Sequence, residues 1–256
     1  MVSDYRKHCD ELNVLRDKAY DIGIQNEKSF GLGDVRVHFF GKMLSVIDFY
    51  RACFELGTKM EVENREGIAT CDSASLSGFV TVNKAAYILG CWSCFESSLD
   101  LLYKAISSED DRERIELKDY NKIRTALNKC EINSELLEKL KKIVRIKHVP
   151  ITDKYNLLYE RLSDTYKGVR DRKKDKLFLG FFGASRNAVH NNFHSGSDLV
   201  FNTRIGEFKF ERNKPIDFFT EDLLIQVANE LIDIFHQIVL SLPHVERIND
   251  IYLRLN

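Results

Sequence analysis

Apolar residues recur at intervals of three and four along most of the chain, which is the spacing of one face of an α-helix. The clearest pattern runs from 79 to 106, where the apolar positions form a seam suited to packing in a bundle. These positions are Ala85, Ile88, Trp92, Phe95, Leu99, Leu102 and Ile106. The segment 220–242 repeats the pattern behind Thr220, whose hydroxyl can cap a helix. The sequence therefore predicts a mainly α-helical bundle.

Two earlier segments predict helices that pack beside this seam, one over 4–20 and one that begins after a cap at Asp34. Shorter amphipathic segments predict further helices at 120–129, 134–146 and 154–166. The charged stretch 107–114 predicts a solvated break between helices. We expect residues 1–74 to form an N-terminal helical extension packed on the core, and residues 75–256 to form the main helical domain.

Strict alternation of apolar and polar residues replaces the helical period between 199 and 212. Leu199, Phe201, Thr203 and Ile205 alternate on one side of Gly206, and Phe208 and Phe210 alternate on the other. This pattern predicts a small β-hairpin directly before the last helix. Because two strands are not stable alone in water, we expect the hairpin to lie on the bundle or on a partner.

Composition narrows the class of protein without naming a function. The chain has 256 residues, of which 44% are hydrophobic and 30% charged, as in ordinary soluble globular proteins. The formal net charge of −1 means that any nucleic-acid partner must depend on local patches. The charged first eighteen residues lack the apolar segment of a secretory signal. Glu230, Asp233 and His236 interrupt the most apolar segment, so we expect no membrane span and a cytoplasmic location.

The six cysteines predict reduced thiols rather than a disulfide framework, because no export signal is evident. Cys91 and Cys94 form a C-x-x-C motif inside a predicted helix. In redox proteins a strand usually precedes such a motif, and no strand is predicted here. A zinc site would need two further ligands at short spacing, and the sequence offers none. We expect small buried thiols on a core helix.

The candidate chemistry lies in a predicted helix over 176–192. Phe178, Phe182, Arg186 and His190 fall four residues apart and share one face, which is apolar for two turns and then polar. Arginine can bind phosphate oxygens with two donors, and histidine exchanges a proton near neutral pH. Cleavage of RNA without a metal needs both properties. The alternative is a structural pair stabilised by the negative end of the helix dipole.

The motif RNAVHNN at 186–192, followed by a hairpin and a final amphipathic helix, resembles the HEPN (higher eukaryotes and prokaryotes nucleotide-binding) superfamily of ribonuclease toxins and defence effectors. The family hallmark is an arginine, often followed by a polar residue, and a histidine further along the same helix. Arg186, Asn187 and His190 match these positions. Four to six residues usually separate the arginine and the histidine, whereas three separate Arg186 from His190 and seven separate Arg186 from His194. This departure leaves open which histidine acts and whether the site is active. We favour His190, because a spacing of four residues brings two side chains into contact on a helix, whereas His194 requires the helix to continue past two asparagines.

The resemblance implies a HEPN-like bundle that acts as a metal-independent endoribonuclease without a cofactor, as a toxin or antiphage-defence effector. It also implies a homodimer that brings two such helices together, and Gly180 and Gly183 would permit a close approach. An antitoxin or a nucleotidyltransferase is a further partner of such proteins. An acidic residue on an earlier helix supports the pair in this family, and Glu96 is the candidate. The alternatives are a non-catalytic module that dimerises and binds RNA or a nucleotide, and a helical interaction subunit.

Several polar and basic residues are candidates for contact with RNA. Asn191 and His194 follow the Arg-His pair directly. A basic cluster before the helix contains Lys167, Arg170, Arg172, Lys173, Lys174 and Lys176, and a second cluster lies between 139 and 148. Both clusters are suited to attract a phosphate backbone. The alternative is that they are ordinary solvated faces.

Overall fold

A computed structural model of the protein describes residues 2–68, 73–127, 134–144, 149–216, 219–242 and 246–249. Within them, ten α-helices and one two-stranded sheet are formed. The helices are α1 (Val2–Phe30), α2 (Val35–Arg65), α3 (Ser73–Ile106), α4 (Glu109–Glu116), α5 (Lys118–Leu127), α6 (Ser134–Val144), α7 (Ile151–Arg161), α8 (Asp164–Val169), α9 (Arg172–His190) and α10 (Glu221–Ser241). The strands are β1 (Leu199–Asn202) and β2 (Glu207–Phe210). The predicted mainly helical class, with a hairpin before the last helix, is confirmed.

The three long helices α1, α2 and α3 pack along one another in chain order, and α10 packs against all three. Asp34 caps α2 as predicted, because its Oδ1 accepts a hydrogen bond from the Arg36 amide at 2.9 Å. The same buried carboxylate accepts from the Ile248 amide at 2.9 Å and from the Arg36 guanidinium at 2.7 Å. Burial by itself raises the pKa of Asp34, but these donors outweigh it and hold the pKa below its ordinary value.

One hydrophobic core joins residues of α1, α2, α3, α7, α8, α9 and α10. At its centre, the ring of Phe39 in α2 stacks on Phe235 in α10 at 3.9 Å and meets Phe95 in α3 at 6.2 Å, as centroid distances. Among the described residues, α10 alone is long and apolar enough to cross a membrane by length and composition. Its most apolar window has a mean hydropathy of 1.4 and is 61% buried. More than half of this window is therefore packed inside the structure.

Two local predictions are wrong, and both errors arise from contacts that the helical period does not reveal. The expected break at 107–114 contains α4, which is stabilised by a capping box between Ser108 and Asp111. The helix expected over 154–166 is divided into α7 and α8. The chain turns between them where the Ser163 amide donates to the Ser241 carbonyl at 2.9 Å.

The C-x-x-C motif has the expected structural role. Cys91 and Cys94 are buried free thiols on α3. Burial raises the pKa of the Cys94 thiol to about 11 and that of Cys91 above its ordinary range. Both side chains are therefore neutral at physiological pH and serve as small core residues.

The hairpin lies on α9, which fixes the surroundings of the candidate site. Its strands pair antiparallel from Leu199 opposite Phe210 to Asn202 opposite Glu207. The inward-facing Phe208 stacks on Phe181 of α9 with ring centroids 4.0 Å apart. The expectation that the hairpin packs on the bundle is confirmed, and one side of α9 is covered by it.

Candidate functional site

Helix α9 begins four residues before its predicted start and ends two residues before its predicted end. It begins at Arg172 because Asp171 caps it: the Asp171 Oδ1 accepts from the amides of Lys173 and Lys174 at 2.8 and 3.2 Å. It ends at His190 because the backbone then turns left-handed, with φ of 52° at Asn192 and 63° at Phe193.

The face of α9 that carries the Arg-His pair passes from the core to the surface along the helix. Phe178 and Phe182 are buried, and Phe182 packs edge-on against Trp92 of α3 with ring centroids 5.3 Å apart. Arg186 is half-buried and His190 is exposed. The structure therefore places both side chains beyond the buried middle of the helix, at its C-terminal end.

The charge of Arg186 is not neutralised. Its Nη1 donates to the amide oxygen of Asn187, the next residue, at 3.1 Å. Within the part of the chain that the structure describes, no carboxylate pairs with Arg186 and no hydrogen bond engages the His190 ring. Both groups are thus available to a phosphate or a ribose hydroxyl.

The remaining polar candidates surround the end of α9. Asn187, Asn191 and His194 are exposed. His194 lies beyond the helix, and its Nδ1 is 2.9 Å from the carbonyl oxygen of Asn192, which orients the ring. The segment that carries it is held by an isolated bridge between His194 and Pro215. Two histidines therefore lie near the helix end. Among the described residues, His194 has a partner that orients its ring and His190 has none.

Glu96 has a different environment from the one expected for a residue that supports the pair. Its Oε2 accepts a hydrogen bond from Trp92 Nε1 at 2.7 Å, within α3. It lines a cavity of about 530 Å³ together with Asp100, Lys104 and Lys154. Among the described residues, no salt bridge joins Glu96 to Arg186. The Trp92 ring that donates to Glu96 packs on Phe182 of α9.

The two glycines expected to admit a second copy accommodate aromatic rings of the same chain. A Cβ added at Gly180 would lie 2.9 Å from Cε1 of Phe201 in β1, and one added at Gly183 would lie 3.2 Å from the Trp92 ring. Their small size is therefore explained by packing within one chain. A homodimer remains a prediction that needs another basis.

The sequence gives little sign of a buried ionic network at the other end of α9. Arg170, only 7% exposed, donates to Asp175 through Nη2 at 2.7 Å and through Nε at 3.0 Å. It also pairs with Glu230 of α10. Tyr155 and Tyr166 donate to Asp175 Oδ2 at 3.0 and 2.8 Å. Arg170, a candidate for contact with RNA, thus ties the α8–α9 junction to α10.

The protonation states in this network follow from its geometry. Burial by itself lowers the pKa of Arg170, but the bonds and charges of Asp175 and Glu230 raise it, so the guanidinium stays charged. Burial is the main cause that raises the pKa of Tyr155 and of Tyr166, and the charge of Asp175 adds to it. Both phenols are therefore neutral donors. Two sequence features could have indicated this network: Asp175 at the start of α9 and Glu230 within the apolar seam of α10.

A cavity of about 970 Å³ opens beside this network at the N-terminal end of α9. We call it the basic pocket. It is lined by six cationic side chains, namely Lys167, Arg170, Arg172, Lys173, Lys176 and Arg204. Asp171, the helix cap, is the carboxylate that lines it within the described residues. Most of the predicted basic cluster before the helix is therefore brought together around one concave surface.

Two predicted basic positions lie elsewhere. Lys174 faces the hairpin, where its Nζ donates to Asn202 Oδ1 at 2.8 Å. In the second cluster, Lys139 pairs with Glu135 on α6 at 2.7 Å. Residues 145–148 of that cluster, and the side chains of residues 141 and 142, lie outside the described residues.

One group among the described residues has the geometry to hold a metal ion, and none of its members is on α9. It consists of His8 and Glu11 of α1 and Asp222 of α10. Asp222 already pairs with Lys7 at 2.9 Å. We assign no function to this group.

Comparison with known proteins identified no relative of this chain. No protein-family model matches the chain. No curated protein matches it, and no solved structure matches it. The HEPN resemblance therefore depends on residues 186–192 and on the order of the elements after them, and it remains a prediction.

Proposed function

We propose that this protein is a metal-independent endoribonuclease of the HEPN type that acts through Arg186 and His190, as a toxin or antiphage-defence effector. The observation that carries the proposal is the placement of a guanidinium and an imidazole four residues apart at the exposed end of α9. Buried or ion-paired side chains would be unavailable to a substrate, whereas these two are accessible and not neutralised by a carboxylate in the described chain.

The chemistry assigns one step to each group. His190 accepts the proton of a ribose 2′-hydroxyl, and the 2′-oxygen then attacks the adjacent phosphorus. The bond from phosphorus to the 5′-oxygen breaks, and that oxygen takes up a proton. The products are a 2′,3′-cyclic phosphate and a 5′-hydroxyl. Arg186 donates to the phosphate oxygens, where negative charge increases in the transition state. Asn187 holds the Arg186 guanidinium through the 3.1 Å bond.

A second proton-transfer group is needed, because one imidazole cannot be both base and acid in the same step. A two-fold dimer that pairs the ends of two α9 helices supplies a second His190 and a second Arg186. His194 is the alternative within one chain, since its ring is exposed and oriented by the Asn192 carbonyl.

The test is incubation of the purified protein with mixed RNAs in a chelating buffer, followed by analysis of the fragment ends. We expect cyclic-phosphate and 5′-hydroxyl ends from the wild type. His190→Ala should lower the rate by about 10²–10⁴-fold, the usual contribution of a general acid or base. His194→Ala distinguishes the two sources of the second group: it should lower the rate if His194 acts within one chain, and leave the rate unchanged if a second His190 acts in a dimer. Cleavage that survives His190→Ala, or that requires added magnesium, would reject the proposal.

A non-catalytic module that dimerises and binds RNA or a nucleotide is the second candidate. It is favoured by one observation: in the described chain, no hydrogen bond orients the His190 ring, whereas acting histidines usually have such a partner. RNA binding without turnover, weakened by Arg186→Ala, would establish this candidate instead.

A further inference from the structure

The basic pocket contains more cationic side chains than the carboxylates of the described residues neutralise. Lys167 pairs with Asp164 at 3.0 Å, and Arg204 lies 3.6 Å from Glu230, which also binds Arg170. For the other three cations, the described residues provide no carboxylate partner. These are Arg172, Lys173 and Lys176. In a chain with a net charge of −1, this is a local excess of positive charge that a bound anion would relieve.

Arg172 is held in a position suited to bind such an anion. Its guanidinium carbon lies 4.6 Å from the centroid of the Tyr159 ring, and its Nη2 donates to Asn156 Oδ1 at 3.2 Å. Neither partner is charged, so the guanidinium keeps its charge and several free donors. The first amides of α9 are already bonded to Asp171. Side chains, rather than the helix terminus, therefore provide the binding capacity.

The pocket and the Arg-His pair lie at opposite ends of α9. Arg172 and Lys176 line the pocket, and Asn187 and His190 are exposed at the other end. Between them, Leu179 is buried and Gly183 faces the Trp92 ring. The only acidic residue of α9 is Asp175, which is buried in the network. At a rise of 1.5 Å per residue, the Cα atoms of Arg172 and Arg186 are roughly 21 Å apart along the axis.

From these observations we infer that the basic pocket anchors the phosphate backbone of a single-stranded RNA, so that efficient cleavage at Arg186 and His190 requires a strand long enough to reach both. The inference rests on the proposed function for the cleavage step, and it adds a substrate-positioning subsite at the far end of the same helix. A single strand is favoured over a duplex because a cationic concavity with an aromatic side chain, here Tyr159, is typical of proteins that bind one flexible backbone.

The first test compares RNAs of increasing length with a pocket variant, Arg172→Gln/Lys173→Gln/Lys176→Gln. The control variant Lys59→Gln/Lys209→Gln/Lys214→Gln removes the same charge from exposed positions outside α9 and outside both basic clusters. For long RNA, we expect the pocket variant to raise KM at least about tenfold, with a much smaller change in kcat. The gap between variant and wild type should narrow as the RNA becomes too short to span the two ends. An equal KM increase at every length would overturn the inference.

The second test separates this inference from the proposed function. Binding of labelled single-stranded RNA is measured by fluorescence anisotropy in a His190→Ala background, with and without the pocket substitutions. We expect the pocket substitutions to weaken binding about tenfold and to reduce the slope of log affinity against log salt by about two, since three phosphate contacts contribute roughly 0.7 each.

Loss of binding in the pocket variant, combined with no cleavage by the wild type, would support the anchor and reject the nuclease. Binding that is equal in the pocket and control variants would overturn the anchor, whatever the cleavage result. Duplex RNA that binds as tightly as the single strand, with the same loss in the pocket variant, would also overturn it.

Discussion

The two ends of helix α9 both carry arginine, but the surroundings of the two guanidiniums are opposite. Arg170, just before the helix, is 7% exposed and bonded to Asp175 and Glu230. Arg186, in the last turn, is half-buried, and its one hydrogen bond in the described structure goes to the neutral Asn187. A buried charge must be paired to be tolerated, so stability explains the first arginine. It does not explain the second, which is why we assign function to that end.

The largest effect is expected from breaking the buried network. Asp175→Ala removes the acceptor for Arg170, Tyr155 and Tyr166 and leaves a buried guanidinium with Glu230 alone. We expect a loss of about 3–5 kcal/mol in the free energy of unfolding, measured by urea denaturation.

Asp175→Asn is the matched variant, because it keeps the shape and one acceptor oxygen while it removes the charge. It should lose less than Asp175→Ala. A loss below about 1 kcal/mol for Asp175→Ala would show that the network is not structural, and the contrast between the two ends of α9 would fail.

The pH dependence of stability is expected to reflect the buried network at the N-terminal end of α9. The folded state holds the pKa of Tyr155 above its ordinary value of about 10, mainly through burial. The unfolded chain releases the phenolic proton above pH 10 and the folded chain does not, so this contribution to stability is present below pH 10 and lost as the pH rises further. Tyr155→Phe should therefore reduce the slope of the free energy of unfolding against pH by up to about 1.4 kcal/mol per unit.

Urea denaturation at intervals between pH 9 and pH 11 measures this slope. Identical slopes for the wild type and Tyr155→Phe would contradict the burial of the Tyr155 phenol.

The middle of α9 should tolerate a methyl group less well than an open helix surface. Gly180→Ala forces a shift of Phe201, whose Cε1 would lie 2.9 Å from the new Cβ. We expect a loss of about 1 kcal/mol in thermal or urea denaturation. Gly41→Ala in α2 is the control: nothing lies within 4 Å of its Cβ position, and alanine should stabilise that helix by about 0.5–1 kcal/mol.

The smallest effect on stability is expected at the C-terminal end, where the effect on activity should be largest. Arg186→Gln and His190→Gln should each change the free energy of unfolding by less than about 0.5 kcal/mol, because both side chains reach solvent. The same samples should show the loss of RNA cleavage. A loss of more than about 2 kcal/mol with cleavage intact would instead establish the pair as a structural feature of the helix end.

The period of the apolar residues and the polar cap residues were sufficient for the long helices, the hairpin and the caps at Asp34 and Thr220, but not for α4 or for the division between α7 and α8. These features depend on interactions within a few residues, such as the hydrogen bond from the Leu223 amide to the Thr220 hydroxyl at 3.3 Å. The same local logic predicts that Arg186 and His190 share a helix face. This reasoning placed the end of α9 two residues too late, because the pattern of apolar residues does not indicate the left-handed turn at Asn192 and Phe193.

Only the tertiary structure distinguished the basic residues from one another. Arg170 and Arg172 are two positions apart and look equivalent in the sequence, yet one is buried against Glu230, sixty residues away, and the other lines an open pocket. In the same way, Glu96 is engaged by Trp92, and Gly180 is explained by Phe201. Local hydrogen bonding and hydrophobic period determine which elements form. The partner of each charge depends on which distant elements pack together, and no local pattern specifies that.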